Sequence, residues 1–246
     1  MSVILMYHAI HDGDPHPAIA PEDRPYAISR DAFTRQLDRI EAQQRATGQP
    51  VRLTFDDGHV SNHDIALPLL LERGLRATFF ITTAFVGVRE HFCSGAQLRR
   101  MAQAGMTIGG HGHTHAFLDD LSPQAAREEF ERCQAALSTL LGQAPSALSF
   151  PGGRHDASSV RLAREAGFEE LHGSLLAVVD PSAAANAVLP RVAIRSNTDL
   201  ATFERMILPD RRWYAARQRA QRAKHLMRRA IGNRLYHALY TTVSAR

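Results

Sequence analysis

The chain has 246 residues, 44% of them apolar, which fits one folded domain of barrel size better than two small ones and excludes a disordered chain. Its two cysteines, Cys93 and Cys133, stand in unrelated contexts, which excludes a disulfide framework and a thiolate zinc site and favours a reducing compartment. The net charge of +4 combines a mildly acidic body with a strongly basic C-terminal segment.

The N-terminal segment "MSVILMYHAI" contains the first predicted strand, residues 3–7. It has no basic region, and its apolar run is too short for a signal peptide. No later window approaches the roughly 18 uninterrupted apolar residues that a transmembrane helix requires. We therefore expect a cytoplasmic protein without a membrane-spanning segment.

Strand-like segments alternate with helical patterns along the chain. The predicted strands are 3–7, 51–55, 76–82, 106–110, 146–150, 168–173 and 189–194, and the predicted helices are 30–44, 64–74, 94–105, 122–142 and 156–167. Repeated β-then-α units predict a parallel sheet. About seven such units favour a barrel related to the TIM fold, and an open doubly wound sheet is the alternative.

Polar residues follow four of the predicted strands at the points where those strands end. They are His8, the pair Asp56 and Asp57, "HGHTH" at 111–115 and "PGGRH" at 151–155. In α/β barrels the active site is built from loops at the C-terminal ends of the strands. The four clusters therefore predict one active site at that end of the barrel.

The adjacent carboxylates of Asp56 and Asp57 have two interpretations. Asp-Gly is ordinary turn chemistry, which favours a solvated turn. Two neighbouring carboxylates also repel one another unless a positive charge relieves them, which favours a metal site. His111 and His115 stand four residues apart, and two histidines with one carboxylate and an open position form a catalytic zinc pattern. The same donors suit other divalent metals, and each histidine alone is also typical of a surface position.

In this order and spacing, "TFDDG", "HGHTH" and "SFPGG", with the opening "LMYHAI", resemble the polysaccharide deacetylases, which are carbohydrate esterase family 4 with the NodB-homology domain. The resemblance extends from residue 1 to about residue 195. It implies an α/β fold, a distorted (β/α)7 TIM-like barrel of the NodB-homology type. We expect residues 1–200 to form the catalytic domain and residues 201–246 a basic amphipathic helical extension.

The resemblance implies a role for each residue that matches a family motif. Asp56 matches the catalytic base, and Asp57, His111 and His115 match the metal ligands, with zinc as the expected metal and cobalt, nickel or manganese as alternatives. Gly112 stands where the family motif has Ser or Thr. The residues expected to form the substrate groove are Ser149, Pro151, Gly152 and Gly153.

Two residues of the family pattern have no direct match. Ser149 replaces the arginine that orients the catalytic aspartate, and Arg191 is our candidate to supply that guanidinium, with a surface arginine as the alternative. The late histidine that serves as general acid is also missing. His8 and His172, both near predicted strand ends, are the candidates to replace it.

The activity implied by the resemblance is metal-dependent hydrolysis of the N-acetyl group of an N-acetylhexosamine unit, carried by a polysaccharide, an oligosaccharide or a lipid- or nucleotide-linked glycan intermediate. Because no export signal is predicted, a cytoplasmic biosynthetic intermediate is the expected substrate. The alternatives are hydrolysis of another non-peptide C–N bond, such as that of a cyclic amide, and a carbohydrate-binding module that has lost catalysis. No nucleic-acid-binding motif accompanies the basic charge, so nucleic acid is not an expected partner.

The C-terminal segment is strongly basic. Residues 211–246 hold ten of the 29 Lys and Arg residues and no acidic residue, which leaves the body with 19 basic and 25 acidic residues. Within 211–240, aromatic and aliphatic residues lie among the arginines, a pattern typical of a helix that contacts an anionic membrane surface. The alternative is a terminal helix that packs on the barrel with a solvated basic face.

Overall fold

A computed structural model describes residues 1–13, 19, 23–180 and 187–219, and a seven-stranded parallel sheet forms its centre. The strands of this sheet are β1 (Val3–Tyr7), β4 (Val51–Phe55), β5 (Ala77–Ile81), β6 (Thr107–Gly110), β7 (Ala147–Ser149), β8 (Glu170–His172) and β9 (Val192–Ala193), and the short strands β2 (Ile10–His11) and β3 (Ile28–Ser29) pair separately. Their order is β8-β7-β6-β5-β4-β1-β9. Because the order runs in one direction from β1 to β8, the barrel prediction is confirmed and the doubly wound alternative is wrong.

The segment that contains β9 bridges the two edges of the sheet. Leu189 donates its N–H to the carbonyl of Leu171 in β8 at 2.7 Å and accepts a hydrogen bond from Gly173 at 2.9 Å. A few residues later, Val192 and Ala193 pair with β1 on the opposite edge. One short stretch of chain therefore closes the barrel. Because it leaves β8 and joins β1 within a few residues, the predicted strand 189–194 forms few regular pairs with either edge.

Helices connect the strands and cover the sheet. They are α1 (Arg30–Thr47), α2 (Leu67–Glu72), α3 (Gly95–Gln103), α4 (Pro123–Leu141), α5 (Ala157–Glu165) and α6 (Leu200–Met206). Serine or aspartate caps the first turn of most of them, as Ser94 does for α3 with the reciprocal bond from Gln97. The predicted helix 64–74 is divided, since a π-helical turn, Asn62–Ala66, precedes α2.

Side chains alternate between the two faces of β4, and this places Thr54 and Asp56 on the face that points into the barrel. The ring of Phe55 stacks on Phe79 at 4.7 Å and on Tyr7 at 5.3 Å, and all three rings are buried. Successive side chains of a strand point to opposite faces, so the neighbours Thr54 and Asp56 face the other side. Both are buried polar residues at the centre of the barrel.

The chain divides into two compact units, Met1–Pro209 and Asp210–Arg246. The sheet and α1 to α6 belong to the first unit. The predicted extension begins at residue 201, so its first part lies in the first unit, which contains α6. In the second unit a helix covers residues 211–219, and residues 220–246 lie outside the described residues. In the part of the chain that the structure describes, no helix is both long and apolar enough to cross a membrane.

Candidate active site

Two of the predicted metal ligands have left-handed backbone conformations at the C-terminal end of the barrel. Asp57 follows β4 with a φ of 74°, and His115 lies in the loop after β6 with a φ of 67°. This conformation is uncommon for residues other than glycine, and such strain concentrates at active sites. The turn expected at Asp57 is therefore present, and it belongs to the same site as the histidines.

The side chains of Asp57, His111 and His115 converge on one point. Asp57 Oδ1 lies 3.3 Å from His111 Nε2 and 3.2 Å from His115 Nε2. This carboxylate oxygen is buried, yet it accepts no hydrogen bond within the described residues. Two tetrahedral zinc ligands, each about 2.1 Å from the ion, lie about 3.4 Å apart. The spacing and the unsatisfied oxygen fit three ligands around one divalent cation.

His111 is held in the tautomer that a metal ligand needs. The ring is buried, and its Nδ1 donates a hydrogen bond to the carbonyl oxygen of Ser149 at 2.8 Å. Because a carbonyl oxygen can only accept, Nδ1 carries the proton and the lone pair of Nε2 remains free. His113 is not part of the cluster, since its Nδ1 is hydrogen-bonded with Thr83 Oγ1 at 2.8 Å.

Glu129 of α4 holds the histidine loop in place. Its Oε2 accepts backbone N–H bonds from His113 at 2.8 Å and from Thr114 at 2.9 Å, and its Oε1 accepts the Thr114 hydroxyl at 2.7 Å. Gly112 allows this arrangement with a φ of +74°, and a Cβ there would lie 3.3 Å from Glu129 Oε2. The departure from the family's Ser or Thr at position 112 thus has a local reason. No sequence pattern distinguishes Glu129, which is one of several acidic residues in a helical segment.

Asp56 lies beside the ligand cluster but outside it, and it forms a buried ion pair with Arg191. Arg191 donates from Nη1 to Asp56 Oδ1 at 2.6 Å and from Nη2 to Asp56 Oδ2 at 2.7 Å. Burial alone would raise the pKa of Asp56, but the Arg191 guanidinium, together with His111 and His8, outweighs burial and lowers that pKa to about 2. Arg191 is fully buried, so its interpretation as a surface arginine is wrong.

Ser149 lies between the two charged groups. Its hydroxyl donates to Asp56 Oδ2 at 3.2 Å and accepts from Arg191 Nη2 at 2.6 Å. The serine that replaces the family's arginine therefore joins the guanidinium supplied from the barrel-closing segment to the same carboxylate.

The turn Pro151–Gly153 follows β7, and Gly153 has a φ of +67°. A Cβ on Gly153 would overlap Ser174, so the turn requires glycine there. The half-exposed ring of Phe117 lies so close to this turn that a Cβ on Gly152 would be 2.8 Å from it. Of the expected groove residues, Gly152 is exposed and Gly153 is partly exposed, whereas Ser149 and Pro151 are buried, and their role in substrate binding stays a prediction.

The sequence model of the polysaccharide deacetylase family matches residues 43–171, just over half of the chain. This chain belongs to the polysaccharide deacetylase family. The matched range contains Asp56 and all three clustered ligands, whereas His8 and Arg191 lie outside it.

Individual relatives in this family cover parts of the chain. YxkH of Bacillus subtilis (strain 168), whose name assigns it to the polysaccharide deacetylases, is 28% identical over 173 residues, which are 68% of this chain and 62% of YxkH. A chitin deacetylase of Pestalotiopsis sp is 32% identical over 99 residues, 40% of this chain and 33% of that enzyme. This chain therefore matches less than two thirds of either relative. The deacetylase PplD of Streptococcus pyogenes has the same fold, with a TM-score of 0.72 and 22% identity over 85% of this chain and 98% of PplD.

The two candidate general acids, His8 and His172, occupy different environments. His8 lines a cleft together with Asp57, and its ring lies 4.8 Å from that of Tyr26. His172 is fully buried, and its Nε2 is hydrogen-bonded with Glu170 Oε1 at 2.7 Å. Burial lowers the pKa of His172 to about 4, against the opposing effect of Glu170. The structure places His8, and not His172, in the cleft.

The cleft beside Asp57 has a volume of about 290 Å³. The described residues that line it are His8, Ala9, Ile19, Asp23, Asp57, His59, Arg89, Glu90, His91 and Phe92. No sequence motif indicates a role for residues 89–92, because they belong to a loop after β5 that matches no family motif. Left-handed backbone at His91, with a φ of 66°, is a further sign of local constraint at this loop.

Proposed function

We propose that this protein is a divalent-metal-dependent hydrolase that removes the N-acetyl group from an N-acetylhexosamine unit of a polysaccharide, an oligosaccharide or a lipid- or nucleotide-linked glycan intermediate. One observation carries the proposal. Asp57, His111 and His115 converge around a buried, unsatisfied carboxylate oxygen, and the ionised carboxylate of Asp56 lies beside them outside the ligand set. A metal site with an adjoining base is an arrangement that can hydrolyse an amide.

Zinc is the metal that we propose. Two imidazole nitrogens and one carboxylate oxygen, with further positions open, form a common catalytic zinc site. Cobalt, nickel and manganese accept the same donors, so metal analysis must decide among them. The short separations between Asp57 Oδ1 and the Nε2 atoms of His111 and His115 support a small ion.

Asp56 would take the proton of the attacking water. Each carboxylate oxygen has two lone pairs, and Oδ1 accepts one hydrogen bond, from Arg191, so it keeps a lone pair for that proton. A pKa of about 2 keeps Asp56 ionised at neutral pH but makes it a weak base. The bound cation would supply the complementary chemistry, since it lowers the pKa of a water and polarises the acetyl carbonyl.

His8 would donate a proton to the amine that leaves. It shares the cleft with Asp57, and its Nδ1 is buried without a hydrogen bond among the described residues. Proton transfer by a positioned histidine is the usual way to expel an amine from the tetrahedral stage of amide hydrolysis. His172 lacks the access that this role requires.

The test is to measure metal and acetate together. The purified full-length protein is analysed for divalent metal per chain, beside the variants Asp57→Ala and His111→Ala, and acetate release from N-acetylglucosamine oligomers is then followed. His63→Ala is a matched control, because that ring pairs with Asp64 outside the cluster. We expect about one metal per chain in the wild type and the control, and loss of both metal and acetate release in the two ligand variants.

Either of two other outcomes would change the proposal. No metal after reconstitution with zinc, cobalt, nickel and manganese would end the hydrolase interpretation and favour a carbohydrate-binding module. Stoichiometric metal without acetate release from any acetylated amino sugar would favour hydrolysis of a different C–N bond, for which cyclic amides are the first substrates to screen.

We further propose that the protein is cytoplasmic and contacts the anionic inner face of the membrane through residues 211–240. Within the described part, residues 211–219 are helical, and the guanidinium of Arg217 lies 4.5 Å from the ring centroid of Trp213. Arginines beside aromatic residues on a helix favour binding at the headgroup level of a bilayer. Residues 220–246 lie outside the described residues, so this part of the proposal depends on their sequence alone.

A further inference from the structure

The loop after β5 carries a cation into the cleft that contains Asp57. Arg89 lines this cleft, and its guanidinium carbon lies 4.7 Å from the ring centroid of Phe85 and 4.9 Å from that of Phe92. The two rings contact each other edge to face, with centroids 4.9 Å apart. Stacking on aromatic faces restrains a guanidinium while its N–H edges remain available for hydrogen bonds.

The loop has a fixed position relative to the proposed metal site. Val60 donates its N–H to the carbonyl of His91 at 2.8 Å, and Cys93 donates to Gly58 at 2.9 Å. Residues 58–60 directly follow the Asp56–Asp57 pair, so these bonds join the loop after β5 to the segment that carries the proposed base and metal ligand. The N–H of Arg89 itself donates to the carbonyl of Phe85 at 3.0 Å. The guanidinium therefore belongs to a preorganised wall of the cleft.

Arg89 forms no ion pair with an acid in the part of the chain that the structure describes, although Asp23, Asp57 and Glu90 line the same cleft. The neighbouring carboxylate of Glu90 pairs with His91 Nε2 at 3.4 Å instead. Some exposed arginines elsewhere do have an acidic partner, as Arg30 has in Asp12 at 2.6 Å. Among the described lining residues, Arg89 is the one permanent cation. The cleft thus combines one ligand of the proposed metal site, Asp57, with a restrained guanidinium that has no ion-pair partner among the described residues.

We propose that Arg89 binds an oxyanion, a phosphate or a carboxylate, that the amino-sugar substrate carries close to its acetamido group. The substrate is then an anionic N-acetylhexosamine derivative, and a neutral homopolymer is a poorer one. A planar guanidinium matches the paired oxygens of either anion. A volume of about 290 Å³ lies at the lower end for ligand pockets, so a substituent of the reacting sugar would share the cleft with Arg89. This inference rests on the proposed deacetylation.

The test compares matched substrates in the metal-loaded, full-length protein. Acetate release is measured from the neutral methyl glycoside of N-acetylglucosamine, from N-acetylglucosamine 1-phosphate, from its uridine diphosphate derivative, and from a disaccharide of N-acetylglucosamine and a uronic acid. The quantity of interest is the ratio of kcat/KM for each anionic substrate to that for the neutral one. The phosphate and uronate arms distinguish the two sources of the oxyanion.

We expect a ratio of about tenfold or more in the wild type for one of these anions, since charge-assisted hydrogen bonds are strong. In Arg89→Gln the ratio falls towards one, and Arg89→Lys keeps part of it because it retains the charge without the paired donors. Arg45→Gln removes an exposed arginine of α1 far along the chain from the cleft and keeps the wild-type ratio. Thermal unfolding of each variant checks that the fold is intact.

Two results would overturn the assignment of Arg89: a wild-type ratio close to one for every anion, or a preference that survives in Arg89→Gln. If no substrate releases acetate although metal is bound, the proposed function fails separately. In that event calorimetric titration with N-acetylglucosamine 1-phosphate and with the uronic-acid disaccharide still decides on Arg89. Binding that is lost in Arg89→Gln and kept in Arg45→Gln supports the anion site, and binding that is absent or equal in all three proteins refutes it.

Discussion

Arg191 and Asp56, which are 135 positions apart in the chain, form a bidentate ion pair in the centre of the barrel. All five N–H donors of the guanidinium are used: the remaining ones reach Gly173 O at 2.8 Å, Thr54 Oγ1 at 3.2 Å and Ser149 Oγ at 2.6 Å. The same side chain therefore orients the proposed base and ties the closing segment to the strands around it.

Arg191→Met should destabilise the protein by about 3–5 kcal/mol, because it leaves the buried carboxylate of Asp56 without its partner. Arg191→Lys should cost less, since it keeps the charge but loses the bidentate geometry. The free energy of unfolding is measured with urea. The double variant Asp56→Asn/Arg191→Met should be more stable than Arg191→Met alone, and simple additivity of the two single changes would contradict the pairing.

Glu129→Gln should weaken metal binding by about ten- to a hundredfold without unfolding the protein, because its amide oxygen accepts the two backbone N–H bonds of the histidine loop without the negative charge and its amide nitrogen cannot accept the Thr114 hydroxyl as Oε1 does. Competition with a chelator measures the affinity. Glu128→Gln is the matched control on the same helix, where the carboxylate only accepts from Gln124 at the surface. Equal affinity in both variants would exclude a positioning role for Glu129.

His8→Gln should lower kcat for acetate release by about 10²- to 10⁴-fold, which is the usual contribution of a general acid. His172→Gln should lower it much less, since His172 is fully buried and bonded with Glu170. Metal content is measured in both variants to separate proton transfer from metal loss. A larger loss in His172→Gln than in His8→Gln would reverse the assignment.

His172 should make the fold sensitive to acid. Its pKa is lowered from 6.5 to about 4 in the folded protein, chiefly by burial, so the unfolded chain takes up this proton at a higher pH than the native state does. The contribution to stability is therefore complete above pH 6.5 and lost as the pH falls towards 4, by about 3 kcal/mol at most. Urea unfolding at pH 7 and pH 4.5 should show a smaller pH effect in His172→Gln than in the wild type, while His11→Gln should resemble the wild type.

The basic segment should bind vesicles that contain phosphatidylserine and not pure phosphatidylcholine vesicles. Each basic residue near such a surface contributes about 1 kcal/mol, so Arg211→Gln/Arg212→Gln/Arg219→Gln should lose most of the binding. Co-sedimentation at low and high salt measures it, since screening weakens the attraction. The control is a triple variant that removes three charges from the first unit instead, Arg45→Gln/Arg99→Gln/Arg100→Gln. Equal loss in both triple variants would point to net charge and not to this segment.

The ligand cluster could be predicted because its members lie in short motifs at strand ends. Alternation along β4 and the parallel order of the strands bring residues that follow neighbouring strands to one edge of the sheet. Asp57, His111 and His115 therefore meet whatever the details of the helices. Two interpretations of Arg191 stayed open, as the partner of Asp56 or as a surface residue. The strand that follows it has only two regular pairs, which is too short to show a clear alternation of buried and exposed residues.

The amino-acid sequence by itself determined the parallel β/α architecture, the carboxylate and histidine donors and the strand ends that carry them, because periodicity and local motifs encode these features over a few residues. Only the tertiary structure decided that Arg191 lies on Asp56, that Glu129 holds the histidine loop and that Arg89 enters the cleft on two phenylalanine rings. Each of these contacts joins distant or irregular segments, where direction and burial are set by the packing of the whole barrel and not by the neighbouring residues.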